Sequence, residues 1–247
     1  NVSQNELDAL HLLGEDWNWV FNYNNEKSEY THKFMAKIQN KWELAKKEPL
    51  LKLKNNHKNI LNNFLFSKGY KKHDWHICVH IRSDGFYNET KNTAQSFRNS
   101  PIEDYYKIFN FILELGGWVV RMGDTTMPKL NLDKFGKHKH KIIDWAHETS
   151  KSDIVDVALC ATCKLFVSSP SGLHTVAHAF GKPSCYVNFP IYSGFPWHNN
   201  ELLLPKIYKS KITNKMLSID EIYKSKLPYA NHGFMLDMMN VELICND

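Results

Sequence analysis

The sequence predicts an α/β protein built on a mainly parallel sheet, and three observations carry this prediction. From Trp75 onward, short apolar runs alternate with segments of helical periodicity. The connections between these segments are short, and glycines mark expected ends, as at Gly116 and Gly117. No internal repeat and no low-complexity linker interrupts the pattern. We therefore expect the order β-α-β-β-α-β-α-β, with helices on the faces of the sheet.

Each element has its own signal in the chain. The expected strands are His76–Ile81, Trp118–Arg121, Lys141–Ala146, Lys164–Ser169 and Ser184–Phe189. The expected helices are Pro101–Leu115, Ser152–Ala161 and Ser171–Phe180. Ser100 is the expected N-cap of the first helix, with Pro101 in its first turn and Glu103 completing a capping box. After Phe195 we expect a loop and a last helix at Ser218–Tyr223. The predicted domains are a helical N-terminal segment, 1–72, and a sheet domain, 73–247.

Composition excludes several classes of function. The formal charge of +5, from 31 basic and 26 acidic residues, is too small to indicate a nucleic-acid partner. No apolar run approaches the length of a membrane-spanning helix, and the first residues do not resemble a signal peptide. Five cysteines, an odd number within apolar stretches, are typical of thiols in a reducing compartment. We expect a cytoplasmic protein, with peripheral association at the inner face of the membrane left open.

Arginine is scarce in this chain, which makes its positions informative. Of the 31 basic residues, three are arginine, namely Arg82, Arg98 and Arg121. In a chain so rich in lysine, arginine is expected where a planar, bidentate cation is needed, as in the recognition of phosphate or carboxylate. Arg82 and Arg121 end two predicted strands, and Arg98 precedes a predicted helix. The alternative, that the three arginines are chance survivors or form structural ion pairs, remains open.

Polar residues gather at three predicted strand ends. The segments are Arg82–Gly85, Arg121–Asp124 and Ser168–Gly172. In an open α/β sheet, ligands bind beyond the carboxyl ends of the strands, so we predict a binding site at this edge. From the second segment, Gly123 is a candidate for contact with the ligand.

The segment around Ser171 indicates an anion as the ligand. Ser171 and Gly172 stand at an expected helix start, where a hydroxyl and close approach of the backbone suit a diphosphate. His174 lies in the first turn and either faces the same anion or packs in the core. Neither GxxxxGK[ST] nor GxGxxG occurs, so a phosphate-loop ATPase and a dinucleotide fingerprint are excluded.

Motifs in this region resemble known glycosyltransferases. The stretch "SSPSGLHTVAHAFGKP" resembles the nucleotide-binding element of heptosyltransferase-like GT-B enzymes, with one residue fewer between Gly and His. "VHIRSD" (Val79–Asp84) looks like the His-x-Arg element of fucosyltransferase-like enzymes. Four motifs in order, "VHIR", "SFRNS", "GGWVVRMGD" and "SSPSGL", are similar to a family of bacterial surface-polysaccharide glycosyltransferases. The resemblance covers about residues 75 to 190.

The resemblance implies a Rossmann-like, GT-B nucleotide-binding half and transfer of a sugar from a nucleotide-activated donor to a glycan or lipid-linked acceptor. By position, Arg82 and Arg121 would neutralise the leaving diphosphate, which Ser169, Ser171 and Gly172 would bind. Asp84 or Asp124 would be the base that deprotonates the acceptor, or would orient an arginine. Arg98 would touch donor or acceptor, and Asn188 would contact the nucleoside.

The resemblance also implies metal-independent chemistry, with no cofactor besides the nucleotide sugar, and the chain has no DxD motif. Two alternatives remain: a GT-B-like nucleotide-sugar epimerase, and a non-catalytic module that binds nucleotide or glycan. A complete GT-B enzyme is usually longer, and this chain begins with Asn1. We therefore expect a fragment of a larger protein.

Overall fold

The computed structural model describes residues 20–21, 29–49, 51–83, 95–192 and 201–246. Contacts between residues divide the chain into two units. The smaller unit holds two short antiparallel strands, β1 (Val20–Phe21) and β2 (Glu29–Tyr30), and helix α1 (Thr31–Leu44). The larger unit comprises Glu48–Tyr192 and Asn200–Asp247 and contains the main sheet.

The main sheet has six strands, and every neighbouring pair in it is parallel. Its strands are β3 (His76–His80), β4 (Trp118–Arg121), β5 (Ile142–Ile143), β6 (Leu165–Ser168), β7 (Ser184–Phe189) and β8 (Glu201–Pro205). They lie in the order β5-β4-β3-β6-β7-β8. Counted from its first strand this is 3-2-1-4-5-6, the order of the doubly wound Rossmann fold. The predicted α/β class is confirmed.

Helices cover both faces of the sheet, as the apolar strands require. The remaining elements are α2 (Asn55–Ser67), α3 (Tyr106–Glu114), α4 (Asp153–Thr162), α5 (His174–Ala179), β9 (Ile207–Ser210), α6 (Ile219–Lys224), α7 (Gly233–Met238) and β10 (Val241–Ile244). Cys78 of β3 packs with α2 and α4 in one core cluster. Ile77 and Val79, its neighbours along the strand, pack with Phe109 of α3 in the other. Successive side chains of a strand point to opposite faces, so one strand supplies both cores.

Helix α2, which lies before the predicted domain boundary at residue 72, packs in the core of the larger unit. Leu61 and Leu65 of α2 are buried, and they share a cluster with Cys78 and Leu159 of the sheet domain. The helix therefore belongs with the larger unit, although it lies before residue 72. It completes one helical layer of the sheet.

The segment after Ser100 differs from the predicted capped helix. A 3-10 helix at Ile102–Tyr105 precedes α3, and no side chain caps either one. The backbone N–H of Ser100 donates instead to the carbonyl of Arg82 at 3.3 Å. Ser100 is thus held against the end of β3, so the predicted capping box is wrong. A capping box does form at Ser218, whose hydroxyl accepts from the Glu221 N–H.

The C-terminal region contains more strands than expected. The predicted loop holds β8, which extends the parallel sheet, and β9, which pairs antiparallel with β10. Helix α6 confirms the expected helix near Ser218, but it is not the last one, because α7 follows it.

Candidate functional site

The carboxyl ends of β3 and β6 are tied together at the point where the strand order reverses. The backbone N–H of Ser169 donates to the carbonyl of His80 at 3.1 Å. The backbone N–H of Arg82 donates in return to the Ser169 hydroxyl at 2.7 Å. Open α/β sheets bind their ligands in the crevice at this topological switch point. The structure therefore brings together the first and last of the polar strand ends that the sequence predicts.

Arg98 reaches the same loop from a third segment. It ends a short 3-10 helix, Ser96–Arg98. Its guanidinium donates from Nη1 to the Gln95 side chain at 3.0 Å and from Nη2 to the carbonyl of Pro170 at 3.3 Å. Arg98 thereby lies against the loop that follows β6. We call Arg82, Arg98, Ser169, Ser171 and Gly172 the switch-point cradle.

Two buried polar atoms of the switch-point cradle lack a hydrogen-bond partner among the described residues. They are Nε of Arg98 and the hydroxyl oxygen of Ser171. A buried donor left unpaired costs about 1–3 kcal/mol, so such groups call for an explanation. An Arg Nε–H and a serine hydroxyl both donate readily to the oxygens of an anion. The pair identifies this place as a candidate anion site.

Gly172 borders open space in the switch-point cradle. A Cβ built on it would meet nothing within 4 Å, and its φ lies outside the left-handed region. Neither packing nor backbone strain therefore explains a glycine here. The absence of a side chain leaves room for a bound group to approach the backbone closely.

His174 begins α5 and faces inward. Its ring lies 5.2 Å from the rings of both His178 and Tyr186, which packs it in an aromatic cluster. Burial, reinforced by the neighbouring His178, lowers the pKa of His174 to about 3. The imidazole is therefore uncharged near neutral pH and brings no positive charge to an anion. α5 has six residues and starts three residues later than the sequence predicts.

A buried carboxylate, Glu201, contacts two residues whose rings pack against His174. Glu201 of β8 lies 2.5 Å from Nε2 of His178 and accepts a hydrogen bond from the Tyr186 hydroxyl at 3.1 Å. Tyr186 also contacts His178 directly. This network joins α5 to β7 and β8, and it supports the segment that follows the switch-point cradle.

Arg121 is occupied by protein groups. Its side chain is 3% exposed, and it makes a fork with Asp144, with Nε–Oδ1 at 2.7 Å and Nη2–Oδ2 at 3.0 Å. Nη2 also donates to the carbonyl of Pro128 at 2.7 Å. This is the structural ion pair that the sequence left open. A contact between Arg121 and a diphosphate stays an untested prediction.

Gly123 and Asp124 shape the loop after β4. Gly123 has φ of +141°, and an added Cβ would lie 2.3 Å from the sulfur of Met127. Its glycine thus has a structural cause. The Asp124 carboxylate accepts from the backbone N–H of Thr126 at 2.8 Å and contacts the Thr126 hydroxyl, which closes the turn. Asp84, the other candidate base, lies outside the described residues.

Asn188 is enclosed by protein. It is fully buried and adopts a φ of +54°, where the register of β7 with β8 shifts. Its amide donates to Asp104 at 3.3 Å and to the carbonyl of Asn246 at 3.2 Å, and accepts from the Asn246 N–H at 2.6 Å. The side chain ties the end of β7 to the C-terminal residues. Its predicted nucleoside contact stays untested.

Two further residues border the site without having been singled out from the sequence. Burial lowers the pKa of His80 to about 4, with Arg121 and Arg82 acting in the same direction and Asp124 opposing them. Burial raises the pKa of Tyr192 to about 12, against the charges of Arg98 and Arg82. His80 belongs to the "VHIR" motif, and Tyr192 follows β7. Their position at the ends of predicted strands is the sequence signal that could have identified them as residues of the site.

In the described ranges, no three His, Cys, Asp or Glu side chains are grouped so that they could hold a metal ion. None of the described helices combines the length and the apolarity needed to cross a membrane. All five cysteines are thiols, and three of them, Cys78, Cys160 and Cys163, are buried.

Several solved structures of glycosyltransferases are similar to this chain. The E. coli ADP-heptose LPS heptosyltransferase II is 20% identical, with a TM-score of 0.47, over 63% of this chain and 45% of that one. A glycosyl transferase family 9 protein from Veillonella parvula is 16% identical, with a TM-score of 0.48, over 70% and 46%. An E. coli heptosyltransferase with ADP-2-deoxy-2-fluoro heptose is 12% identical, with a TM-score of 0.38, over 72% and 57%.

The similarity to these solved structures covers only part of their length. The chain spans about half the length of the solved structures it matches. No protein-family model matches the chain, and no curated protein sequence matches it. The TM-scores of these three structures are at most 0.48, and their identities are at most 20%. The strand order defines the fold.

Proposed function

We propose that this chain is the nucleotide-sugar-binding part of a glycosyltransferase that builds a cell-surface glycan, with the donor diphosphate held in the switch-point cradle. One observation carries the proposal. Arg98 donates to the carbonyl of Pro170, the residue before Ser171, and Arg98 and Ser171 each keep a buried polar atom without a partner among the described residues. The motif resemblance around Arg82 and Gly172 supports the same assignment.

The proposed chemistry follows from the charges at the switch-point cradle. In glycosyl transfer, an acceptor hydroxyl forms a bond to the anomeric carbon while the bond from that carbon to the diphosphate breaks. The leaving diphosphate gains negative charge, and we propose that Arg82, Arg98 and the Ser171 hydroxyl stabilise it. Two arginines can do this without a divalent cation, so we propose metal-independent transfer.

The proton of the acceptor hydroxyl needs a base. Asp124 lies at the same sheet edge, where its charge acts on His80. We propose Asp124 or Asp84 for this role. The acceptor is proposed to be a glycan or a lipid-linked sugar. The proposed location is the cytoplasm, with peripheral contact at the inner membrane face when the acceptor is lipid-linked.

The first experiment is a thermal-shift screen against UDP, GDP, CMP, ADP and dTDP and their sugar conjugates. A ligand that binds the folded state raises the melting temperature by mass action. We expect one nucleoside diphosphate to raise it by several degrees, about the effect of binding at 100 times Kd on a domain of this size. No shift with any of them would overturn the proposal. Incubation of the bound nucleotide sugar without an acceptor distinguishes a glycosyltransferase from the alternative epimerase. The epimerase would convert the nucleotide sugar to its epimer under these conditions.

Arg82→Lys tests the arginine fork at the switch-point cradle. Lysine keeps the charge but loses the planar, bidentate geometry, so affinity for the bound diphosphate is expected to fall about tenfold. The measurement is titration calorimetry with the nucleotide identified by the screen. The matched control is Arg121→Lys, expected to lower the melting temperature and leave affinity within about twofold. An equal loss of affinity in both variants would show that Arg121 also binds the diphosphate.

A further inference from the structure

Lys206 is a buried lysine at the carboxyl edge of the sheet. It joins β8 to β9 and is 5% exposed. Its backbone N–H donates to the carbonyl of Phe189 at the end of β7, at 3.1 Å. Burying an ammonium group is costly unless hydrogen bonds and charges compensate for it. The contacts of its side chain therefore indicate what the residue does.

Lys206 forms a hydrogen bond with the Asn99–Ser100 peptide group, which follows Arg98. Its Nζ donates to the carbonyl of Asn99 at 2.6 Å. The N–H of the same peptide group, from Ser100, donates to the carbonyl of Arg82 at 3.3 Å. One peptide unit is thus held from both sides, by the lysine and by the strand end that carries Arg82. Arg98 is the residue directly before this unit.

The surroundings keep Lys206 in place. Burial lowers its pKa, and the neighbouring Cys245 and Asp104 oppose that shift. Asp104 in turn accepts a hydrogen bond from Asn188 at 3.3 Å. These partners come from the end of β7, the segment before α3 and the C-terminal residues. Polar groups from three separate segments therefore surround the lysine.

We infer that Lys206 is a positioning residue for the switch-point cradle. By fixing the Asn99–Ser100 peptide group, it places the Arg98 guanidinium against the loop after β6, where the diphosphate would bind. The inference rests on the proposed function and deepens it, because it assigns the β8–β9 junction a part in donor binding. A binding group is effective when its support locks it in the productive geometry. A charged donor makes that support stronger than a neutral one would.

The test uses Lys206→Met, which keeps the apolar stem and removes the donor. The probes are inorganic pyrophosphate and the nucleoside diphosphate that stabilises the wild type. Affinity for both is expected to fall about tenfold, as for the loss of a supporting charge-assisted hydrogen bond. The matched control is Lys211→Met, which removes an exposed lysine paired with Asp237 at 2.6 Å, and is expected to leave affinity unchanged.

A double-mutant cycle with Arg98→Ala separates positioning from stability. If Lys206 acts through Arg98, Lys206→Met should cause little further loss of affinity once Arg98 is absent, while its effect on melting temperature persists. Equal losses of affinity in both backgrounds, or wild-type affinity in Lys206→Met, would overturn the inference. Should Lys206→Met fail to fold, Lys206→Gln is measured in the same cycle. If the wild type binds neither probe, the proposed function itself fails, and the inference with it.

Discussion

Replacing Asp144 with asparagine is expected to lower the free energy of unfolding by about 3–5 kcal/mol, because it leaves the buried Arg121 charge without its partner. The two side chains are paired at 2.7 Å, with exposures of 3% for Arg121 and 15% for Asp144. The carboxylate also accepts from the Leu130 N–H at 3.0 Å, so its loss loosens the loop before β5. Urea denaturation at neutral pH gives the measurement.

The matched control is Asp133→Asn. Asp133 pairs with Lys139 at 3.1 Å, but its side chain is 85% exposed, so this change is expected to alter stability by at most about 1 kcal/mol. Diphosphate affinity is measured in parallel. An Asp144→Asn protein as stable as the wild type, with tighter diphosphate binding, would show that Arg121 serves the ligand rather than the fold.

Acidification from pH 7 to pH 5 is expected to cost about 4 kcal/mol of stability from two buried histidines. Burial lowers the pKa of His76 to about 4 and that of His174 to about 3. Both values lie below the usual 6.5, so the unfolded chain binds more protons in this window. Stability is therefore present above about pH 6.5 and lost as pH falls. His80 acts in the same direction.

The variant His174→Phe isolates one of these groups. Phenylalanine keeps an aromatic ring at this position and does not titrate, so the loss between pH 7 and pH 5 should shrink by about 2 kcal/mol. His73→Gln, at an exposed position, is the control and should leave the loss unchanged. Urea unfolding at pH 7, 6 and 5 supplies the data. A stability that stays constant over this range would contradict neutral, buried histidines.

The central strands could be predicted from the sequence because their signals are local. Trp118–Arg121 and Ser184–Phe189 were predicted with the bounds that the structure has. β8 was missed, since "ELLLP" ends in Pro205, and proline within an apolar run weakens the signal for a strand. At the edge of a sheet, the proline is tolerated because one side of the strand needs no partner. The capping box at Ser100 failed for a tertiary reason, its bond to Arg82.

Some residues of the candidate site could likewise be predicted from local sequence, and others could not. Arg82 and the serines after β6 could be predicted to lie together, because parallel strands end at one edge. Lys206 could not, because nothing local distinguishes a buried lysine from the many exposed ones. Its role depends on a contact with Asn99, more than a hundred residues away along the chain.

The place of β3 in the sheet has a consequence for how the chain matures. β3 lies at the centre, and Cys78 pairs with Val120 on one side and with Phe166 on the other. A nascent chain therefore leaves the second edge of β3 uncovered until β6 has emerged from the ribosome, and such edges invite pairing with other chains. Pairings so distant in sequence also slow folding. We expect chaperone supply during synthesis to raise the soluble yield of this protein more than lower temperature after synthesis does.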